Sequence, residues 1–310
     1  MRILIELPTW LGDAVMATPA IENLANFQNE VEITLIGSFA SIEVLKNHQK
    51  VIKTVVLDKK YPSLVKISRE LGSFDAFFSF RNSFRAKFLK LLISANNKHQ
   101  FKKSKYPNRH QVEKYNDFVN DSLGTNFPAR KLVLQAINST LSTHNLKLGI
   151  NPGASYGSAK RWYPQEFAQV AAKLSSEYDI VIFGGPDEID IAKDIEKSLI
   201  EKGVTNYQNL VGKTTIVELI NQISSLDLFI TGDSGPMHVA ATFQVPTVAI
   251  FGPTRDDETS QWMNEKSVIV KKTLDCQPCM QRTCPLQHHN CMKLIKASDV
   301  FDAAKSLINH

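Results

Sequence analysis

The sequence predicts an α/β protein of two domains, each a parallel sheet wrapped by helices. Three observations carry this. The chain has 310 residues, and at about 150 residues per domain that length divides into two. Short β-branched or aromatic runs alternate with polar helical stretches, the pattern of a parallel sheet with helical crossovers. That pattern lapses once, near the middle, and then restarts. Composition is ordinary for a globular protein: 43% of residues are hydrophobic and 22% charged, which excludes a disordered chain.

The first domain, taken as residues 1–140, has strands at Ile3–Leu7, Ile33–Ile36, Val55–Leu57 and Ala76–Phe80, each followed by a turn or a polar helical stretch. Met1-Arg2-Ile3-Leu4-Ile5 meets Glu6 and Pro8 after only three apolar residues, so it reads as a first strand and not a signal peptide. No apolar run approaches the ~20 residues of a membrane span. The expected compartment is therefore the cytoplasm. Beyond Leu132–Ile137 the pattern weakens into Asn138-Ser139-Thr140 and Ser142-Thr143-His144-Asn145, which reads as the linker.

The second domain, 146–295, opens with a strand at Leu148–Asn151. Pro164 starts a helix with Phe167, Val170, Ala171 and Leu174 at helical spacing. A strand at Ile180–Phe183 ends in Gly184-Gly185-Pro186, and a helix follows from about Asp187. Then come a strand near Leu226–Thr231, a helix from Ser234, and a strand at Thr247–Phe251. Residues 296–310 carry a last amphipathic helix, Ser298–Ile308. Ligands of such sheets sit at the carboxyl ends of the strands, here expected in a cleft between the domains.

Three strand ends carry chemistry. After the first strand comes Pro8-Thr9-Trp10-Leu11-Gly12-Asp13-Ala14-Val15-Met16, where a glycine permits close backbone approach and an aspartate follows it. Asp13 reads either as a functional carboxylate or as a helix N-cap. Pro19 either kinks the ensuing helix or begins it. Ahead of the Pro164 helix runs Asn151-Pro152-Gly153-Ala154-Ser155-Tyr156-Gly157-Ser158-Ala159-Lys160-Arg161-Trp162. Small residues, a hydroxyl and Lys-Arg before a helix suit a diphosphate, although a surface loop with a basic tip would look the same. Thr231-Gly232-Asp233-Ser234-Gly235-Pro236-Met237-His238 is a strand end, a tight turn and a helix start.

Two nucleotide signatures are missing. Gly212-Lys213-Thr214 lacks the glycine of a phosphate-binding P-loop, since Tyr207 stands five residues before Gly212. No G-x-G-x-x-G occurs, which argues against a nucleotide-sugar epimerase or dehydrogenase.

Lysine plus arginine exceed aspartate plus glutamate by 36 to 31, a net charge of +5. Ten of the cations fall between Arg81 and Lys114 against Glu113 alone. That stretch is either a solvated face or a surface for an anionic partner. The four cysteines, Cys276, Cys279, Cys284 and Cys291, are spaced C-x2-C-x4-C-x6-C. This suits a structural zinc, with His288 and His289 as further ligands, but a loop of reduced thiols reads identically. Cysteines and charge together would also fit a zinc-knuckle nucleic-acid binder.

The stretch Leu7–Ala20, the Lys160–Trp162 loop and Gly232–His238 resemble the ADP-heptose:lipopolysaccharide heptosyltransferases, glycosyltransferase family 9, in order and across nearly the whole chain. The Trp10–Met16 wording and the Cys-Gln-Pro-Cys…Cys-Pro…Cys-Met stretch are most similar to the members that attach the second heptose to the first of the inner core. The first or third heptosyltransferase is the alternative. The resemblance implies a GT-B fold, with the acceptor site in the first domain and the nucleotide-sugar site in the second. It also implies that helix 296–310 returns toward the first domain. It assigns Asp13 as catalytic base. Ser155, Lys160, Glu188, Asp233, Ser234, Gly235 and His238 become donor contacts for ADP-L-glycero-β-D-manno-heptose, with Asp187 adjacent to Glu188. Arg81, Asn82, Ser83 and Arg85 fall on the acceptor side.

It implies inverting transfer with no cofactor or metal, and a lipid A–Kdo–heptose acceptor met at the cytoplasmic face of the inner membrane, with no nucleic acid. One departure stands out: Ser155-Tyr156 occupies the place of two adjacent threonines in some relatives.

Overall fold

A computed structural model describes residues 1–58, 60–136 and 145–308. Apart from Asn145, the expected linker lies outside the described residues. The chain divides into two compact units, Met1–Gln135 and Ala136–His310.

The first unit is a five-stranded parallel sheet: β1 (Arg2–Glu6), β2 (Glu32–Gly37), β3 (Val51–Val56), β4 (Ser73–Ser79) and β5 (Ser94–Gln100), in the order β3-β2-β1-β4-β5. Register is set on β1, where Ile3 faces Ile33 on one side and Ala76 on the other. The central strands are apolar on both faces because helices cover both. Ile3, Leu4, Ile5, Phe77 and Phe78 are fully buried, each burial worth about 1.5–3 kcal/mol relative to exposure. β5, Ser94-Ala95-Asn96-Asn97-Lys98-His99-Gln100, has no apolar run and was not anticipated. It pairs on one side only and stays half exposed, so nothing selects for hydrophobic residues.

The second unit has β6 (Leu146–Asn151), β7 (Tyr178–Ile182), β8 (Tyr207–Asn209), β9 (Leu228–Gly232), β10 (Thr247–Ile250) and β11 (Ser267–Val270), ordered β11-β10-β9-β6-β7-β8. β8 and β11, the two edge strands, were likewise unanticipated. Counted from its own first strand, each sheet runs 3-2-1-4-5, continued by a sixth strand in the second. Both are doubly wound, and the strand order reverses between β1 and β4 and between β6 and β9. A ligand is expected at the carboxyl ends of those two pairs.

Pro19 neither kinks one continuous helix nor starts one. Helix Leu11–Met16 ends at Ala17, and Thr18–Ala25 begins with Pro19 in its first turn, where a missing N–H costs nothing. Helix Pro164–Leu174 forms as its spacing requires, with Phe167, Val170, Ala171 and Leu174 buried. After Gly184-Gly185 a short 3-10 turn, Pro186–Glu188, precedes helix Ile189–Glu201. The last helix, Ala297–Ile308, packs on Pro164–Leu174, β10 and β11. Its Val300 and Ala304 belong to the core of the second unit, and this packing groups 296–308 with that unit. No helix among the described residues is long and apolar enough to cross a membrane.

Candidate functional site

In the first unit the chain leaves β1 at Glu6, turns through Leu7–Trp10 and enters helix Leu11–Met16. Trp10 is the N-cap residue and makes no side-chain cap bond, so Asp13 is not the cap. Asp13 sits in the first turn, where the helix dipole favours a negative charge by about 0.3–1 kcal/mol. Tyr115, on helix Gln111–Leu123, donates its hydroxyl to Asp13 Oδ1 at 3.4 Å. Burial and the Asp13 charge hold that phenol well above its usual range, so it stays a neutral donor. Tyr115 was missed because 102 residues separate the pair and only packing joins them.

Across the switch point, β4 ends at Ser79. Glu6, fully buried, accepts from Ser79 Oγ at 2.6 Å and pairs with Arg81 Nη1 at 3.4 Å. Burial pushes the Glu6 carboxyl above the usual carboxylate range, while Ser79 and the Arg81 and Arg85 charges oppose the rise. A lone acid in the run Ile3-Leu4-Ile5-Glu6-Leu7 was the available signal, and it was not used. Of the expected acceptor residues, Arg81 is held by Glu6 and Asn82 is exposed. Ser83 caps helix Phe84–Leu92, accepting from the Ala86 N–H at 3.2 Å. Arg85 donates to the Asp58 carbonyl, which ties it to the loop after β3. These two therefore have structural employment.

In the second unit, β6 and β9 pair with Asn151 opposite Thr231. Asn151 Nδ2 donates to Thr231 Oγ1 and to Ser234 Oγ, both at 3.3 Å, and the two hydroxyls lie 3.0 Å apart. Ser234 is the N-cap residue of helix Gly235–Thr242, yet its hydroxyl bonds sideways into this cluster and caps no backbone N–H. Asp233 is the centre of charge. Its Oδ2 lies 2.5 Å from Lys160 Nζ and accepts from Thr254 Oγ1 at 2.6 Å. Lys160 also donates to the Asp233 carbonyl at 3.3 Å. The ammonium is thus fixed beside the start of the helix. His238 is buried in that helix. Asn151 and Thr254 were not among the expected contacts.

The Lys160 loop rests on the cysteine-rich segment. Gly157 has φ +156°, and a Cβ there would strike the Arg282 carbonyl; that carbonyl accepts from Ala159 N–H at 3.0 Å. His289 bridges Ala159 O at 2.9 Å and Tyr163 Oη at 3.1 Å. Tyr156 explains the departure from paired threonines. Its hydroxyl donates to the Met280 carbonyl at 2.6 Å, and its ring lies under Lys160 at 4.8 Å and Arg282 at 5.4 Å. It carries the cations by its π-face. Ser155 is exposed and joins none of these bonds. Glu188 is buried, whereas Asp187 is exposed. The Glu188 carboxylate accepts from Gly185 N–H at 2.7 Å and fills the space a Cβ of Gly153 would need. Burial raises its proton affinity, against the Gly185 bond and the Arg161 charge.

Among the described residues, no three His, Cys, Asp or Glu side chains are gathered as metal ligands. All four cysteines are free thiols, and burial with the neighbouring Cys284, Cys279 and Cys276 pushes Cys291 up to about 11.

A family model described as glycosyltransferase family 9 (heptosyltransferase) matches residues 75–290. Lipooligosaccharide heptosyltransferase 2 of Campylobacter jejuni serotype O:2 is 42% identical over 318 residues, spanning 100% of this chain and 99% of that protein. Among solved structures, Escherichia coli ADP-heptose lipopolysaccharide heptosyltransferase II superposes with a TM-score of 0.83 at 21% identity, covering 100% of this chain and 99% of its own. An E. coli heptosyltransferase solved with ADP gives 0.77 at 16% identity, covering 99% and 100%. At those identities the two solved structures bear on the fold, which they share.

Proposed function

The chain belongs to glycosyltransferase family 9, the heptosyltransferases, and from that premise we propose that it moves L-glycero-D-manno-heptose from ADP-heptose onto the first heptose of the lipopolysaccharide or lipooligosaccharide inner core. The observation that carries this reading is the second switch point: a lysine clamped beside a helix N-terminus is a site for a leaving diphosphate.

The acceptor hydroxyl is a weak nucleophile. Asp13 takes its proton as the oxygen attacks the anomeric carbon of the donor. The bond from that carbon to the diphosphate breaks, its electron pair leaves with ADP, and attack from the opposite face inverts the centre. Lys160 and the N–H groups of helix Gly235–Thr242 meet the charge that develops on the leaving group. Asp233 suits the role of holder better than that of base, since its Oδ2 already accepts from Lys160 and Thr254. Glu188, beside Gly153 and bonded to the Gly185 N–H, is in this reading the contact to the nucleoside. The mechanism asks for no metal, because lysine and helix supply the neutralisation. Arg81 and Asn82 lie on the side that receives a core glycan bearing carboxylates and phosphates. A lipid A–Kdo–heptose acceptor brings the protein to the cytoplasmic face of the inner membrane as a peripheral partner.

Turnover of ADP-heptose with core acceptors carrying zero, one or two heptoses tests the reading. Transfer to the one-heptose acceptor alone is expected. Transfer only to the acceptor with none, or with two, would reassign the chain to the first or third step.

A further inference from the structure

Helix Phe84–Leu92 follows directly from the carboxyl end of β4, where Arg81 and Asn82 sit. Its sequence, Phe84-Arg85-Ala86-Lys87-Phe88-Leu89-Lys90-Leu91-Leu92, has two apolar faces where a surface helix needs one. The inner face, Ala86 and Leu89 with Ile93 beyond, is buried, and Leu89 and Ile93 pack with Phe74 and Phe77. The other face runs Phe84, Lys87, Phe88, Leu91, at i, i+3, i+4 and i+7. Phe84 is 86% exposed and Leu91 79%. Tyr61, half exposed at the start of the helix after β3, stacks edgewise on Phe88 at 5.5 Å and widens the apolar strip.

The charges on the helix itself have one sign, although Asp58 lies beside Arg85 at its start. The helix carries Arg85, Lys87 and Lys90 with no acid, and no aspartate or glutamate occurs between Arg81 and Val112. Neither Lys87 nor Lys90 makes an ion pair among the described residues. Single exposed apolar residues are ordinary on protein surfaces. Exposed Phe84 and Leu91 in line on a helix whose own charges are all cations match the composition of a helix lying in a bilayer interface, where apolar side chains enter the acyl boundary and lysines meet headgroup phosphates.

We propose that the outer face of helix Phe84–Leu92 docks on an anionic lipid surface. Phe84 and Leu91 insert, half-buried Phe88 supports them from the core side, and Lys87 and Lys90 bind the headgroups. Other occupants fit less well. A second copy would set two cationic faces against each other. A nucleic acid would use the lysines but leave Phe84 and Leu91 in water. The docking gains its purpose from the proposed lipid-borne acceptor, because the same strand end would then carry both the membrane contact and the acceptor-side residues.

The test is flotation of the whole protein with vesicles of phosphatidylglycerol and phosphatidylethanolamine, and with neutral phosphatidylcholine vesicles. Binding to the anionic vesicles is expected. Lys87→Gln and Lys90→Gln should each weaken it about fivefold, and Phe84→Gln with Leu91→Gln should weaken it further at any salt concentration. All variants should keep the parent's melting temperature and its turnover of a water-soluble acceptor. Equal binding by parent and variants would overturn the proposal, as would loss in the variants of self-association or protein binding with vesicle binding intact. Absent turnover on the soluble acceptor with vesicle binding retained would instead count against the proposed reaction.

Discussion

The two switch points share a topology and differ in how each treats its carboxylate. In the first unit Asp13 stands at the start of a helix and meets the hydroxyl of Tyr115, a neutral donor at a long 3.4 Å. In the second, Asp233 also stands at a helix start, but Lys160 at 2.5 Å and Thr254 at 2.6 Å occupy a single oxygen. Neighbours, more than residue type, decide what an aspartate can do. One held by a lysine serves as an anchor for positive charge, whereas Asp13 has a phenol among its partners. In the proposed reaction the first of these carboxylates is the base and the second holds the lysine that meets the diphosphate.

Asp13→Asn is the sharpest way to break this comparison. Asparagine keeps the shape and most of the hydrogen bonding but accepts no proton. A general base is worth about 10²–10⁴-fold in rate, so kcat should fall at least a hundredfold, with only the small drop in melting temperature that the lost helix-dipole interaction brings. If the carboxylate serves only the helix dipole, the variant will instead lose a little stability and keep its kcat.

The next effect belongs to Lys160→Ala. A cation on a departing diphosphate acts more strongly in the transition state than in the ground state, so kcat should fall as KM for ADP-heptose rises. A charge-assisted hydrogen bond of this kind corresponds to about 10–100-fold in kcat/KM. Steady-state kinetics unchanged from the parent would remove Lys160 from the diphosphate site and leave it as a partner of Asp233 alone.

The smallest effect is a slope. Glu6 is raised by its burial, so the folded chain holds this proton more tightly than the unfolded chain does. Between the ordinary glutamate range and the raised value the folded state binds more protons, and stability falls as pH rises through that window. Glu6→Gln abolishes the titration, and its unfolding free energy plotted against pH should be flatter there than the parent's, by at most about 1.4 kcal/mol per pH unit. Parallel curves for the two proteins would show that Glu6 does not titrate in that range.

Much of the fold was legible because buried strands advertise themselves. β1, β4, β6, β7, β9 and β10 sit inside their sheets and carry apolar runs. β5, β8 and β11 lie at edges, pair on one side only, and offer no such run or only a short one. The site was legible where local chain geometry makes it: Asp13 after Gly12, Lys160 before the Pro164 helix, Asp233 and Ser234 in a glycine-bracketed turn. It was illegible where the partner comes from elsewhere. Thr254 reaches Asp233 from 21 residues away, and Arg81 reaches Glu6 from 75. The cysteine spacing alone left a zinc site and reduced thiols open; in the fold the segment's backbone and His289 buttress the Lys160 loop.

By itself the sequence determined the α/β class, two parallel-sheet units, the strand ends proposed to carry function and the motifs by which it resembles the family. Each of these follows from periodicity or from residues close together in the chain, which local physics can read. Only the tertiary structure decided that Asp233 is clamped while Asp13 meets a phenol, that Tyr156 serves by its ring, and that Ser83 and Arg85 are spent on a cap and a loop. It alone showed that Phe84 and Leu91 face outward on a second apolar face. These outcomes depend on which side chains become neighbours across tens of residues, and that is settled by how strands order and helices pack.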